Sequence, residues 1–203
     1  MRKLIIVCLV LNTVCLSLRG EETVKKNSSW SLSGMSALTL SQVSLSNWSA
    51  GGEDAIGFNV QFAYNADYKK AKHLWQNRLE LAYGLNRTET DGSKKTNDKI
   101  YISSTYGYGL TKSLYVSSMV SFNSQFAKGY DYKPDPRVLI SRFMAPGYLM
   151  GGLGLTWNPK VYFTATLSAI SWRGTFVTSD VLSEQGAYGV KPGEHLFSEM
   201  GGN

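Results

Sequence analysis

Histidine and serine are the residue types of this chain that could perform hydrolysis. A serine hydrolase needs a histidine that accepts the serine proton and a third group that orients the histidine. The 203 residues include two histidines, His73 and His195, and His73 follows a stretch with three lysines. Serine is so abundant here that its presence near a histidine says little. We therefore interpret both histidines as solvated, which predicts that the protein is not an enzyme.

Cysteine and glycine offer no further catalytic motif. Both cysteines, Cys8 and Cys15, lie in an amino-terminal segment that we predict to be removed on export. A disulfide framework, a thiolate metal site and a cysteine nucleophile are then excluded from the mature chain. The stretch from Gly151 to Gly154 lacks the spacing and the following helix of a nucleotide-binding loop. We expect neither a cofactor nor a metal ion.

Charged and amide side chains that recur at alternate positions could line a channel. The candidates for a lumen-facing set are Asp67, Arg78, Glu80, Lys99, Asn123 and Gln125. Charges enclosed in a narrow lumen must be paired or hydrated, since an unpaired buried charge costs several kcal/mol. The set fits either an ion-pair network that fills a lumen or a ring of charges that selects ions. We favour the ion-pair network.

Two long alternating segments position part of this set. From Ile56 to Tyr68 the even-numbered positions are apolar or aromatic. From Trp75 to Leu85 the odd-numbered positions are apolar or aromatic, apart from Asn77. This pattern predicts an antiparallel hairpin with one apolar and one polar face. The first segment would extend roughly 40 Å, whereas soluble strands have about 5 to 6 residues and membrane-spanning strands about 9 to 11. The length therefore favours strands that cross a membrane.

Similar alternation predicts five further strands. Their ranges are 35–45, 100–110, 114–126, 149–157 and 161–169, which makes seven strands, and the chain ends in a stub. The first of these changes parity, which we interpret as a β-bulge. We also expect a short helix at 180–185, with Ser179 as its N-cap.

Six glycines share the polar parity of the predicted strands. They are Gly57, Gly84, Gly107, Gly109, Gly152 and Gly154. Glycine weakens a strand interior, so its repeated use suggests close approach by another group. Either the amino-terminal segment or an external loop packs over these glycines, or they ease the curvature of a barrel.

The connections between the predicted strands alternate in length. Long connections at 46–55, 87–98, 127–147 and 173–190 are interleaved with short ones at 69–73, 111–113 and 158–160. Short periplasmic turns and long external loops are typical of outer-membrane barrels. We therefore predict an antiparallel transmembrane β-barrel whose amino terminus is periplasmic. Four aromatic residues then form an interfacial girdle at the periplasmic end: Tyr68, Trp75, Tyr108 and Trp157. A secreted two-sheet sandwich is the alternative fold.

The first 20 residues predict a secretory signal peptide. Arg2 and Lys3 precede an apolar run that is too short to span a membrane. Its removal after Gly20 leaves 18 of the 21 basic residues against 15 acidic ones, so we expect no nucleic-acid binding. A polar lead-in at 21–33 precedes the barrel domain at 34–203.

Several further stretches carry a family resemblance, at 40–53, 69–73, 81–85, 97–100, 129–132 and 186–190. Together they resemble a Bacteroidota family of unknown function that is regarded as outer-membrane-barrel-like, and the resemblance covers roughly residues 33–202. It implies an outer-membrane location and contact with the lipid bilayer, and it implies no activity. Members look longer than this chain, and bacterial barrels have even strand numbers. We therefore expect the chain to be a truncated part of a larger barrel.

Three function classes fit these expectations. The first is a passive pore or small-solute transporter of unknown substrate. The second is a closed structural or docking barrel whose external loops, including Gly129 to Tyr132, bind a partner or an extracellular glycan. The third is a barrel hydrolase that acts on lipid. We prefer them in that order.

Overall fold

The chain folds almost entirely into β-structure. A computed structural model describes residues 10–20, 28–45, 52–160 and 163–201. These ranges contain a helix, α1, at Asp180–Glu184, and a 3-10 turn at Ala187–Gly189. The strands are β1 Val10–Gly20, β2 Trp30–Ser44, β3 Ala55–Lys70, β4 His73–Thr88, β5 Gly92–Gly109, β6 Leu114–Ser124, β7 Gly129–Asp131, β8 Val138–Ser141, β9 Gly147–Lys160, β10 Phe163–Phe176 and β11 Leu196–Gly201.

Nine strands form one sheet in the order β1-β2-β3-β4-β5-β6-β9-β10-β11, and all its neighbours are antiparallel. β7 and β8 pair separately. The seven predicted strands correspond to β2 to β6, β9 and β10, and the predicted stub becomes β11. The all-β antiparallel fold class is therefore confirmed. In the described residues the edge strands β1 and β11 do not pair with each other, so this sheet is open.

The amino-terminal strand lies inside the predicted signal peptide. β1 pairs with β2 from Val10 opposite Ser44 to Gly20 opposite Gly34. Residues 1–9 and 21–27 lie outside the described ranges. Strand pairing does not test whether residues 1–20 are removed on export, so the signal peptide stays a prediction.

β2 differs from its prediction at both its start and its register. It begins at Trp30 rather than Met35, so residues 30–33 of the predicted lead-in belong to the sheet. The predicted bulge was wrong, because the register with β3 runs without a shift from Trp30 opposite Tyr68 to Val43 opposite Ala55. The apparent change of parity arises because Met35 and Val43 lie on the otherwise polar face.

Two connections are more regular than their sequences indicate. The predicted loop at 87–98 is mostly strand, because β4 and β5 continue until residues 89–91 join them. A register shift between Gly84 and Leu85 accommodates one extra residue in β5. The predicted loop at 127–147 contains the β7–β8 hairpin. A further register shift, between Ser168 and Ile170, means that β10 residues of the same parity lie on opposite faces of the sheet before and after it.

Burial on the two faces of the sheet is the reverse of that in a soluble protein. On β3 the exposed side chains include Ile56, Phe58 and Phe62, and on β9 they include Leu153 and Leu155. The opposite face contains buried hydroxyl groups, those of Ser117, Ser121, Thr156 and Thr175. A soluble sheet packs its apolar face against a core. This sheet exposes it.

A small core forms where the longest connections meet. We call residues 125–146 and 177–195 together the cap. Its core consists of Ala145, Val177, Leu182 and Val190. The Thr178 amide donates to the Met144 carbonyl at 2.9 Å, which joins the two segments. The predicted helix is present as α1 after Ser179, although the Ser179 side chain makes no capping hydrogen bond.

Candidate functional site

Charged side chains on the polar face occur in contact with opposite charges. Glu80 on β4 contacts Arg78 on the same strand and Lys99 on β5, with 2.5 Å between the Lys99 Nζ and Glu80 Oε2 atoms. At the other side of the sheet, Arg173 on β10 pairs with Glu199 on β11. The alternating pattern predicted the common face of Arg78, Glu80 and Lys99. The pair between Arg173 and Glu199 was not predicted from the sequence.

The remaining lumen-facing candidates are Asp67, Asn123 and Gln125. Asp67 on β3 is opposite Gln76 on β4, near the short connections. Asn123 on β6 lies between Tyr101 on β5 and Tyr148 on β9. Gln125 follows the end of β6, and its amide donates to the Arg142 carbonyl at 2.5 Å. Gln125 therefore forms a hydrogen bond within the cap and does not continue β6.

A cavity of about 530 Å³ lies between the polar face and the cap. Tyr101, Asn123, Tyr148, Thr175 and Phe197 form a row across five neighbouring strands at this level. The sequence did not predict this site. The feature of the sequence that could have indicated it is the occurrence of aromatic residues, such as Tyr101, at strand positions that are otherwise polar.

Tyr188 in the cap forms part of the cavity lining. Its hydroxyl donates to the Ile140 carbonyl in β8, which ties the two cap segments together. Its φ of 60° is unusual for a residue other than glycine, and Gly186 and Gly189 beside it also have positive φ. Burial and the neighbouring Tyr148 raise the pKa of the Tyr188 phenol above its ordinary value. The phenol therefore remains a hydrogen-bond donor at neutral pH.

Two of the polar-face glycines are approached by an aromatic side chain of the same sheet. A Cβ atom added at Gly107 would lie 3.2 Å from the Tyr115 Cβ, and one at Gly109 would lie 3.5 Å from the Tyr115 ring. Tyr115 belongs to the adjacent strand β6 and is buried. For these two glycines the neighbouring group is neither the amino-terminal segment nor an external loop.

The four predicted girdle residues lie on the apolar face near the short connections. Tyr68 is opposite Trp75, Tyr108 is opposite His73, and Trp157 is opposite Leu114. Three further aromatic residues join them: Trp30, Tyr106 and Phe163. Trp30 lies 5.2 Å from Tyr68 and 5.7 Å from Trp75 between ring centroids. Trp30 was missed because its neighbours in sequence are polar.

Comparison with known proteins gives one match. Residues 40–130 match the model of a family described as a protein of unknown function (DUF3078). We call residues 40–130 the DUF3078 segment. No curated protein and no solved structure matches the chain. The DUF3078 segment runs from the end of β2 to β7 and includes Glu80 with both of its cationic partners. The Bacteroidota setting and the outer-membrane location stay predictions.

Neither histidine of the chain bonds a serine hydroxyl in the described ranges. His73, within the DUF3078 segment, bonds the Tyr106 hydroxyl through Nδ1 at 2.6 Å. His195 lies outside that segment, where its Nδ1 atom donates to the Val177 carbonyl at 2.7 Å and its Nε2 atom lies 3.6 Å from Asp180. The described residues contain no cluster of three or more His, Cys, Asp or Glu that could hold a metal ion. They also contain no helix long and apolar enough to cross a membrane.

Proposed function

We propose that this sheet forms the wall of an outer-membrane β-barrel through which small polar solutes diffuse. The exposed apolar face is the observation that carries the proposal. A contiguous apolar patch of this extent is rare on a soluble monomer and marks an interaction surface or a membrane. Transmembrane strands alternate lipid-facing apolar residues with lumen-facing polar ones, and the alternation of apolar and polar residues on β3 and β4 supports the same arrangement here.

The height of the apolar band supports a bilayer as its environment. On β4 it runs from Trp75 to Leu85, beside Tyr68 and Phe58 on β3. Ten residue steps extend about 33 Å. With a strand tilt of about 40°, they cover about 25 Å along the membrane normal, which is the band height expected of outer-membrane barrels. Arg87, two residues beyond Leu85, would reach the headgroup region.

The polar face supports a hydrated lumen without strong charge selection. Small residues dominate the polar face of the central strands, so few side chains project far from the wall. These small residues include Ser117, Ser121, Gly152, Gly154, Thr156, Thr166 and Ser168. Glu199 is balanced by Arg173, and Glu80 contacts two cations, which leaves a single positive charge in excess. Selective channels carry rings of like charge. We therefore expect similar permeability to small cations and anions.

Conductance across a planar lipid bilayer tests this function. We expect discrete current steps from the purified protein and a reversal potential near zero in a salt gradient. Arg173→Ala should leave Glu199 without its cation and shift the reversal potential towards cation preference. Lys191→Ala is the matched control, because it removes a cation from the exposed pair with Glu194. An absence of current steps, with protein demonstrably inserted, would contradict the pore.

A closed docking barrel is the second candidate, and the outer side of the cap favours it. The Arg137 guanidinium lies 4.6 Å from the Tyr130 ring centroid, and the Lys94 Nζ atom lies 5.3 Å from that of Tyr132. Paired aromatic and cationic side chains are typical of recognition surfaces. This candidate predicts no conductance, together with saturable binding of an extracellular polysaccharide that Tyr130→Ala weakens.

A further inference from the structure

We propose that the cavity beneath the cap binds a small uncharged sugar. This inference rests on the proposed function, because it assigns a substrate class to the polar face of the same sheet. The cavity volume of about 530 Å³ lies within the range usual for small-molecule sites, about 300 to 1,000 Å³. Its lining combines flat aromatic surfaces with a few polar groups, which is the composition of such sites.

The polar groups of the row are available to a ligand. Among the described residues, the Asn123 amide and the hydroxyls of Tyr101 and Tyr148 have no hydrogen-bond partner. The amide supplies two donors and an acceptor, and each phenol supplies a donor and an acceptor. Asn123 lies between the two tyrosines, so these groups converge on the same part of the cavity. A ligand with several hydroxyl groups would satisfy them.

The aromatic groups favour a ligand that also has an apolar face. Tyr101, Tyr148, Tyr188 and Phe197 all line the cavity. Aromatic rings supply large apolar surfaces, and tyrosine adds a polar end. Sugar rings combine C–H groups on their faces with hydroxyl groups around their rim. The lining therefore matches a sugar ring better than a wholly apolar or a wholly polar solute.

The charges around the cavity favour a neutral ligand. Arg173 lines it, but its guanidinium pairs with Glu199. Lys99 beside Tyr101 pairs with Glu80. An anionic ligand would compete with a carboxylate that is already in place, and a cationic ligand would meet an arginine. Arg173, the charged residue of the cavity lining, is thus already compensated by Glu199.

Equilibrium binding tests the site independently of conductance. The full chain is studied in a detergent without sugar headgroups, by saturation-transfer NMR and calorimetry. The probes are glucose, maltose and sucrose, with glucuronate and glucosamine as charged comparisons. We expect saturable binding of at least one neutral sugar. Tyr148→Ala and Asn123→Ala should each weaken it at least about tenfold, whereas Tyr64→Ala on the apolar face of β3 should leave it unchanged.

Each outcome separates the site from the pore. Saturation by none of the neutral sugars, tighter binding of glucuronate or glucosamine, or unchanged affinity in both cavity variants would overturn the assignment. Current steps without sugar binding would support the pore and overturn the sugar site. Sugar binding without current steps would support the sugar site and contradict the pore. If Tyr148→Ala does not fold, Tyr148→Phe keeps the ring. Its affinity should then fall less than that of Asn123→Ala.

Discussion

Glu53 links the connection before β3 to the tip of the β4–β5 hairpin. Its carboxylate accepts hydrogen bonds from the Thr90 hydroxyl and from the Thr90 amide, the latter at 3.1 Å. The Thr90 hydroxyl, followed by the Thr90 amide, lowers the pKa of Glu53 below its ordinary value. Because the pKa is lowered in the folded state, the contact contributes its full stabilisation of the fold at pH values above the unfolded-state pKa, about 4.3. Its contribution disappears as the pH falls through the folded pKa.

Hydrogen exchange at residues 89–91 should therefore depend on Glu53 only when its carboxylate is ionised. At pH 6 we expect Glu53→Gln to exchange faster there than the wild type. At a pH below the folded-state pKa of Glu53 the two proteins should exchange alike, because the wild-type carboxylate is then protonated. Comparing both proteins at the same pH removes the intrinsic effect of pH on exchange. An equal difference at both pH values would contradict this role.

Asp98 fastens the start of the cap to β5. Its carboxylate accepts hydrogen bonds from the Phe126 amide at 2.7 Å and the Ala127 amide at 2.9 Å, and it pairs with Lys95 at 2.7 Å. The Asp98 side chain is only 4% exposed and that of Lys95 is 15% exposed. Removing one partner of a buried pair leaves the other charge uncompensated, which costs about 3 kcal/mol.

Asp98→Asn should accordingly destabilise the folded protein by about 3 kcal/mol in urea unfolding from lipid vesicles. Trypsin should also cleave the connection after β6 faster, at Lys128 and Arg137. Asp135→Asn is the matched control, since Asp135 lies exposed in the same connection. Equal unfolding midpoints for the two variants would rule out a fastening role for Asp98.

The sequence predicts which face a residue occupies better than which residues it contacts. Period-two alternation was sufficient to assign Arg78, Glu80 and Lys99 to one face, because neighbouring positions of a strand point to opposite sides. The row containing Tyr101, Asn123 and Tyr148 depends instead on the register between β5, β6 and β9. β6 and β9 are separated by the whole of the first cap segment, so no local pattern specifies their register.

At the scale of elements, the absence of a side chain at Gly107 on β5 leaves room for the buried Tyr115 on the adjacent strand β6. An added side chain at Gly107 would meet the Tyr115 Cβ at 3.2 Å, closer than ordinary contact. Overpacking of this kind usually costs about 1 to 3 kcal/mol. Gly107→Val should therefore lower the free energy of unfolding by that amount. Heat-modified migration in gel electrophoresis, with the unfolding midpoint in urea, would measure the loss.

Gly151→Val provides the comparison for that variant. Gly151 lies on the apolar face of β9, where an added Cβ would meet only the Met119 carbonyl oxygen, at 4.0 Å. The additional methyl groups would face the surroundings of the sheet, and we expect stability to be unchanged or slightly higher. If Gly107→Val were no more destabilising than Gly151→Val, the glycine would serve strand curvature rather than the packing of Tyr115.

Element ends were predicted less well than element types. Alternation identified seven strands of the sheet, and Ser179 before Asp180 correctly indicated the start of α1. The extension of β4 to Thr88 and of β5 to Gly92 was missed. Asp91 and Gly92 are typical of a turn, and the charged residues around them suggested a long loop. In the fold, cross-strand pairing continues past the apolar band, so polarity alone misjudged where the hairpin ends.

For the whole molecule, the large exposed surface indicates that something other than this chain covers much of the sheet. The chain exposes 14145 Å². A compact soluble monomer of its mass, 22.4 kDa, would expose about 9,400 Å². On the apolar face, Leu40, Ile56 and Leu167 are among the exposed side chains. A lipid bilayer would cover that face while water reaches the other.

Trp75 and Gln76 allow this environment to be measured on both faces of one strand. They are adjacent in β4 and point to opposite sides of the sheet. We expect a protein whose sole tryptophan is Trp75 to be quenched by lipids brominated near the headgroups and little affected by aqueous iodide. Moving that tryptophan by one residue, with Gln76→Trp and Trp75→Phe, should reverse the two results if the polar face lines a hydrated lumen.

Trp172 extends the measurement across the bilayer. It lies on the same face as Leu153 and Ile170, nine positions beyond Phe163 along β10. That separation corresponds to about 23 Å along the membrane normal at a tilt of about 40°. A sole tryptophan at position 172 should therefore be quenched by bromine near the opposite headgroups when only one leaflet carries the label. Strong iodide quenching of both Trp75 and Trp172, with no effect of brominated lipid, would refute insertion and favour a water-soluble sheet covered by another protein.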